Sequence, residues 1–256
     1  MATFVLVPGY WFGGWVWDEV AADLRAAGHE ALAVTLRGVA ERADEATPEV
    51  DVDAHAADIV RVIDDSGVDE VILVAHSGGN MAVTAVADRF PDRVARVVYV
   101  DSGPMPTGLA GIDFHEPKER AALRERVASE GDGWRIPVPP FEAEADPHNL
   151  AGLSAGQLAR MRERGTPQPF RTATQALTRP EPLPDVPLTL IANTFPVAGV
   201  QQLAETGNPA FAMMTGPGWT YRELPTGHWP MLSKPRELAA LLDEIAGLSQ
   251  SAPGSA

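Results

Sequence analysis

Val71-Ile-Leu-Val-Ala75 is an unbroken apolar run, and the chain turns directly from it into His76-Ser77-Gly78-Gly79 and a helical pattern that reaches residue 90. A run with no polar face reads as a strand covered on both sides, as in a parallel sheet. The alternation recurs along the chain. Residues 4–7, 30–36, 94–100, 188–192 and 220–224 read as further strands. Residues 15–27, 52–65 and 235–248 carry helical spacing. Strands alternating with helices imply an α/β fold with a doubly wound, mostly parallel sheet and right-handed crossovers.

The pattern breaks between residues 104 and 185. That stretch holds 12 of the 23 prolines, two helical segments (116–130 and 154–164) and no strand signal. It reads as a helical cap inserted over the sheet, which leaves residues 1–103 and 186–248 as the core. The Ser/Ala/Gly/Pro-rich residues 249–256 are expected to form a flexible tail.

Composition removes several functions. With no cysteine in 256 residues, there is no disulfide scaffold, thiolate nucleophile or Cys-based metal site. No His, Asp and Glu set has metal-ligand spacing, and no phosphate loop is present, so no cofactor is expected. A net charge of −15 argues against nucleic acid, and no apolar run approaches the ~18 residues of a membrane span. The N-terminus lacks a basic leader, and a cytoplasmic protein is expected. The acidity is local: residues 41–70 hold eleven acids and two Arg, and read as a solvated flank.

Ala75-His-Ser-Gly-Gly79 places a serine in a sharp strand-to-helix turn. Such a turn needs nearly side-chain-free residues two before and two after the serine, here Ala75 and Gly79. It would lift Ser77 Oγ above the C-terminal edge of the sheet and aim the Gly78 N–H at a reacting oxygen. The plainer reading is a Gly-rich turn with an incidental serine. A serine nucleophile needs a base. Of six histidines, His29 and His55 read as surface residues, His76 should point away from Ser77, and His115 and His148 lie in the insertion. His228, in Pro225-Thr-Gly-His-Trp-Pro230, follows the last strand and should return to the same sheet edge. The plainer reading of His228 is a loop histidine with a structural hydrogen bond.

With Val5-Leu-Val-Pro-Gly9-Tyr-Trp-Phe-Gly-Gly14-Trp-Val-Trp17, these motifs resemble the α/β-hydrolase fold, and within it the methyl esterase and hydroxynitrile lyase group with its bacterial relatives. The resemblance implies a serine hydrolase for a carboxylic ester or related acyl substrate, acting through an acyl-enzyme. It also implies that Tyr10 supplies a second oxyanion-hole N–H beside Gly78. Pro8 replaces the family's usual histidine. Trp229 stands where lyase members carry a lysine, which argues against cyanohydrin cleavage. The family's acid usually follows the strand that ends here at Ala192, but Asn193-Thr-Phe-Pro-Val-Ala-Gly199 has no carboxylate. Asp101, after the strand beside Ser77, is the candidate. Asp101 could instead cap a turn, leaving Asn193 or a carbonyl to orient His228.

Trp11, Phe12, Trp229, Trp134 and Phe141 are the candidate substrate contacts, with His115 and Met161 in the lid. They suggest a small neutral or aromatic substrate. Trp15 and Trp17 read as core. The missing carboxylate keeps a biosynthetic cyclisation, lactonisation or carbon–carbon cleavage in view. A non-catalytic binder is the third reading. A homodimer is the expected assembly if the chain is not monomeric.

Overall fold

In the computed structural model, which describes residues 1–250, eight strands occur in chain order: β1 (Thr3–Val7), β2 (Glu30–Ala33), β3 (Val71–His76), β4 (Val94–Val100), β5 (Arg135–Ile136), β6 (Gln168–Pro169), β7 (Leu188–Ala192) and β8 (Trp219–Glu223). Six of them form a sheet in the order β2-β1-β3-β4-β7-β8, with every pair parallel. The chain leaves β1 toward β2 and resumes at β3 on the other side of β1. That reversal marks the C-terminal edge near β1 and β3 as the ligand-binding place of an open α/β sheet. Residues 104–185 contain one short antiparallel pair, β5 with β6, which sequence patterning did not predict.

Ten helices accompany the strands: α1 (Asp18–Ala26), α2 (Val52–Ser66), α3 (Asn80–Arg89), α4 (Pro117–Glu130), α5 (Ala155–Arg164), α6 (Arg171–Thr174), α7 (Val197–Glu205), α8 (Pro209–Ala212), α9 (Pro230–Ser233) and α10 (Pro235–Gln250). Their ends follow local chemistry. The Asp51 side chain accepts from Ala54 N–H to start α2, and Gly67 ends it with φ 69°, a conformation that favours glycine. Ser154 and Gln157 form a reciprocal capping box on α5. Helix α10 takes in the first two residues of the expected tail, 249–250; the remaining tail residues lie outside the described ones.

The apolar runs resolve into two faces because side chains alternate along a strand. Phe4, Leu6, Ile72, Val74, Val98 and Ile191 pack with α1 and α10 on one side. Val5, Val7, Leu73, Ala75, Val97 and Tyr99 pack with α2 and α3 on the other. Trp15 and Trp17 belong to the first core, as expected. Among the described residues, no helix is long and apolar enough to cross a membrane.

Three polar residues on the flanks depart from their sequence reading. His55 is buried, with Nε2 donating to the Arg37 carbonyl at 3.0 Å. The His29 side chain is also mostly covered; its ring links Ala2 N–H to Asp243. Asp58, read as part of a solvated acidic flank, is 1% exposed and binds Arg37 through both carboxylate oxygens, with Arg42 3.1 Å away. In each case an element distant in sequence covers the residue. Burial lowers the His55 pKa from 6.5 to about 4. The unfolded chain therefore binds the extra proton between those values, and the fold loses stability as pH falls through that window. We predict that His55→Gln flattens the decline of Tm between pH 6.5 and 4, removing on the order of 3 kcal/mol of pH dependence. Thermal melts of the two proteins across that range check it.

Candidate active site

Five loops meet at the C-terminal edge of the sheet, and each follows a different strand. Ser77 directly follows β3, in a turn with φ 47°. The turn is possible because the backbone around it is crowded and small. A Cβ at Gly79 would fall 2.6 Å from the Pro8 carbonyl oxygen, and one at Gly9 would fall 2.9 Å from Ser77 Cβ. Gly78 lies against the Tyr10 ring so closely that a side chain there would overlap it. The loop after β1 thus touches the turn after β3, with Tyr10 and Gly78 side by side.

His228 lies in the loop after β8. Its Nε2 is 2.8 Å from Ser77 Oγ, and its Nδ1 is 2.6 Å from Asp101 Oδ2. With Asp101 ionised, Nδ1 carries the proton, so Nε2 is left to accept from the serine hydroxyl. Asp101 follows β4 with φ 48°, and its N–H continues the ladder to the Ile191 carbonyl at 2.9 Å. Its carboxylate is almost fully buried. Burial pushes the Asp101 pKa up, but the hydrogen bond and charge of His228 and the N–H and hydroxyl of Thr194 outweigh it and hold the carboxyl below its usual range.

The backbone of His228 is fixed as firmly as its ring. Its N–H donates to the Asn149 carbonyl at 2.7 Å, a contact from the inserted stretch. Its carbonyl accepts from His76 Nε2 at 2.6 Å. As expected, His76 does not contact Ser77 through its ring, but it lies under the site, with the two imidazole centroids 4.8 Å apart. Burial, followed by the charge of His228, lowers the His76 pKa to about 3. His76 is therefore neutral at working pH and acts as a donor. Its neighbour Ser77 was legible as the candidate nucleophile, but nothing in the sequence pointed to His76 or Asn149 as partners of His228.

A cavity of about 620 Å³ opens above Ser77. Trp11, Phe141 and Trp229 form one aromatic wall, with Trp11–Phe141 and Phe141–Trp229 centroids 6.1 and 5.5 Å apart. Phe114, His115 and Phe195 also line it. Three sequence candidates do not. Phe12 is buried behind the wall, stacked on Phe141 at 5.5 Å. Trp134 sits outside, beside β5, with the Arg135 guanidinium 4.8 Å from its ring. Met161 is wholly buried in the core. Of the six non-glycine residues with positive φ among the described residues, four (Trp11, Ser77, Asp101 and Phe141) line this cavity. Strain of this kind collects where a structure must hold side chains against local preference. The ionisable groups among the described lining residues are acids, histidines and Tyr10, with neither Lys nor Arg.

Comparison with known proteins agrees with this fold. The alpha/beta hydrolase family model matches residues 4–241. A carbendazim hydrolyzing esterase from a Nocardioides species is 32% identical, over 94% of this chain and 98% of its own length. An extracellular alpha/beta-hydrolase from a Paenibacillus species superposes with a TM-score of 0.76 at 19% identity, over 95% of this chain and 98% of its own. A methylesterase from Arabidopsis gives a TM-score of 0.71 at 20% identity, over 97% of this chain and the whole of its own. The chain belongs to the alpha/beta hydrolase family and is an esterase-like hydrolase.

Proposed function

We propose that Ser77, His228 and Asp101 are the nucleophile, base and orienting acid of an ester hydrolysis that runs through an acyl-enzyme on Ser77. The observation that carries this reading is the unbroken chain of hydrogen bonds, Ser77 Oγ to His228 Nε2 at 2.8 Å and His228 Nδ1 to Asp101 at 2.6 Å. His228 Nε2 takes the hydroxyl proton as Ser77 Oγ attacks the ester carbon. The carbonyl oxygen becomes an oxyanion between the N–H groups of Tyr10 and Gly78. When the tetrahedral adduct collapses, the ester C–O bond breaks, and His228 returns its proton to the leaving alcohol. Water then attacks the acyl-Ser77 with His228 again as base, releasing the acid and restoring the serine.

The reading of the oxyanion hole is supported by the side-by-side packing of Tyr10 and Gly78. Trp11 N–H is already engaged by Gln168 Oε1 at 3.2 Å, which favours its neighbour for the role. The inserted stretch 104–185 is read as the cap, since Phe114, Phe141 and Leu150 line the cavity from above. An aromatic wall and the absence of Lys and Arg from the described lining favour a neutral ester with an apolar or aromatic group. The case for an altered triad, and with it for cyclisation or carbon–carbon cleavage, drew on the missing carboxylate after Ala192. The 2.6 Å contact of Asp101 with His228 supports Asp101 for that role, and no observation favours the altered triad. Alignment of Ser77 with His228 likewise counts against a pure binder.

Two tests follow. Ser77→Ala should lower kcat toward an activated neutral ester by at least about 10³-fold, measured as chromophore release; retained turnover would overturn the proposal. Phe141→Ala should raise KM for an aromatic ester by roughly five- to tenfold, the loss of one aromatic contact, while Trp134→Ala stays within about twofold. Steady-state kinetics on the two variants would contradict the assigned wall if the effects were equal or reversed.

A further inference from the structure

The loop after β7 has no acid, yet it is not idle. Asn193 N–H and Thr194 N–H both donate to Asp101 Oδ1, at 3.1 and 2.9 Å. The Thr194 hydroxyl lies 3.0 Å from Oδ1 and 2.8 Å from Oδ2. His228 Nδ1 occupies Oδ2. We propose that Thr194 is a positioning residue for the reaction: its hydroxyl and N–H, with the N–H of Asn193, fix the rotation of the Asp101 carboxylate so that Oδ2 always faces His228. The inference rests on the reading of Asp101 as the orienting acid.

The chemistry of the two oxygens makes the argument. A carboxylate is symmetric and turns easily about its last torsion, which has broad, roughly two-fold preferences. An unanchored Asp101 would exchange its oxygens and tilt out of the imidazole plane. Two backbone donors hold Oδ1 from the β7 side, and they can reach it because Asp101 leaves β4 in a left-handed conformation that turns its side chain toward β7. The hydroxyl has one proton and sits nearer Oδ2, so it shares that oxygen with His228 and draws off part of its charge. Asn193 completes the clamp from the other side, with Nδ2 donating to the Leu224 carbonyl at 2.9 Å, which fastens the β7 loop to the end of β8, the strand that leads to His228. A loop that supplies only donors is what an acid placed on the neighbouring strand requires.

The effect should appear in catalysis rather than in substrate binding. Thr194→Val keeps the shape and removes the hydroxyl. We expect kcat to fall about tenfold or more with KM within twofold, because a misaligned base affects the transition state. Thr194→Ser should restore kcat to within about threefold. Should the valine variant fail to melt like the parent, Thr194→Ala against Thr194→Ser carries the same comparison, since the two differ by the hydroxyl. Asp101→Asn is the control for the underlying reading and should cost on the order of 10⁴ in kcat, the loss seen in a serine protease when the tautomer is no longer held. If Asp101→Asn is inactive while the valine variant keeps kcat within twofold, the role of Thr194 is overturned and the acid stands. Equal losses in the serine and valine variants would also overturn it, because the hydroxyl would then be irrelevant. Full activity in Asp101→Asn would remove both claims.

Discussion

A histidine between a serine and a carboxylate can act as a base in only one tautomer, and the 2.6 Å contact from His228 Nδ1 to Asp101 selects it. Much of the architecture at the sheet edge serves that one contact. Asp101 and His228 come from loops after β4 and β8, two strands separated by β7 in the sheet. Their meeting depends on the parallel register that brings all the C-terminal strand ends to one side. It depends also on two positive-φ turns, at Ser77 and Asp101, that point side chains across the edge rather than along it. The cost of those conformations is met by the packing beneath them, where both faces of the sheet are covered by apolar cores.

The hydrogen-bonded row of Ser77, His228 and Asp101 is held from outside. His228 has both backbone groups engaged, by Asn149 and by His76, and its carboxylate partner is clamped by the loop after β7. His76 illustrates the economy of the arrangement. The side chain adjacent to Ser77 turns beneath the sheet edge, where burial keeps it neutral and able to donate to the His228 carbonyl. Residues 104–185 contribute twice, through the Asn149 carbonyl to His228 and through Phe141 to the cavity wall, so this stretch and the sheet edge meet at His228.

The parts legible in the sequence were those set by local sterics and chain order. The apolar run, the small residues around Ser77 and the following helix are short-range signals, and they led directly to the turn after β3. His228 was legible because it follows the last strand, and Asp101 because its strand lies beside that of the serine. What escaped was decided by contacts between segments far apart in sequence. Phe12 and Trp134 looked like equal partners of Trp11 and Phe141, but Phe12 turns into the core and Trp134 stays beside β5. His55 and Asp58 carried surface patterning, and the loop bearing Arg37 covers both. Thr194 had no signal at all, because a threonine after a strand gains meaning only when the carboxylate it faces is known. The net charge of −15, conspicuous in the sequence, did not indicate the character of a cavity whose wall is largely aromatic.

The central claim is that the reaction passes through a covalent acyl group on Ser77, and trapping that group tests it most directly. The protein would be mixed with a neutral aryl ester, quenched in acid within the first turnovers, digested and mapped by mass spectrometry. The account predicts an acyl adduct on the peptide carrying Ser77, formed at least as fast as steady-state turnover. Turnover without an adduct on Ser77, or with the acyl group on another residue, would contradict it.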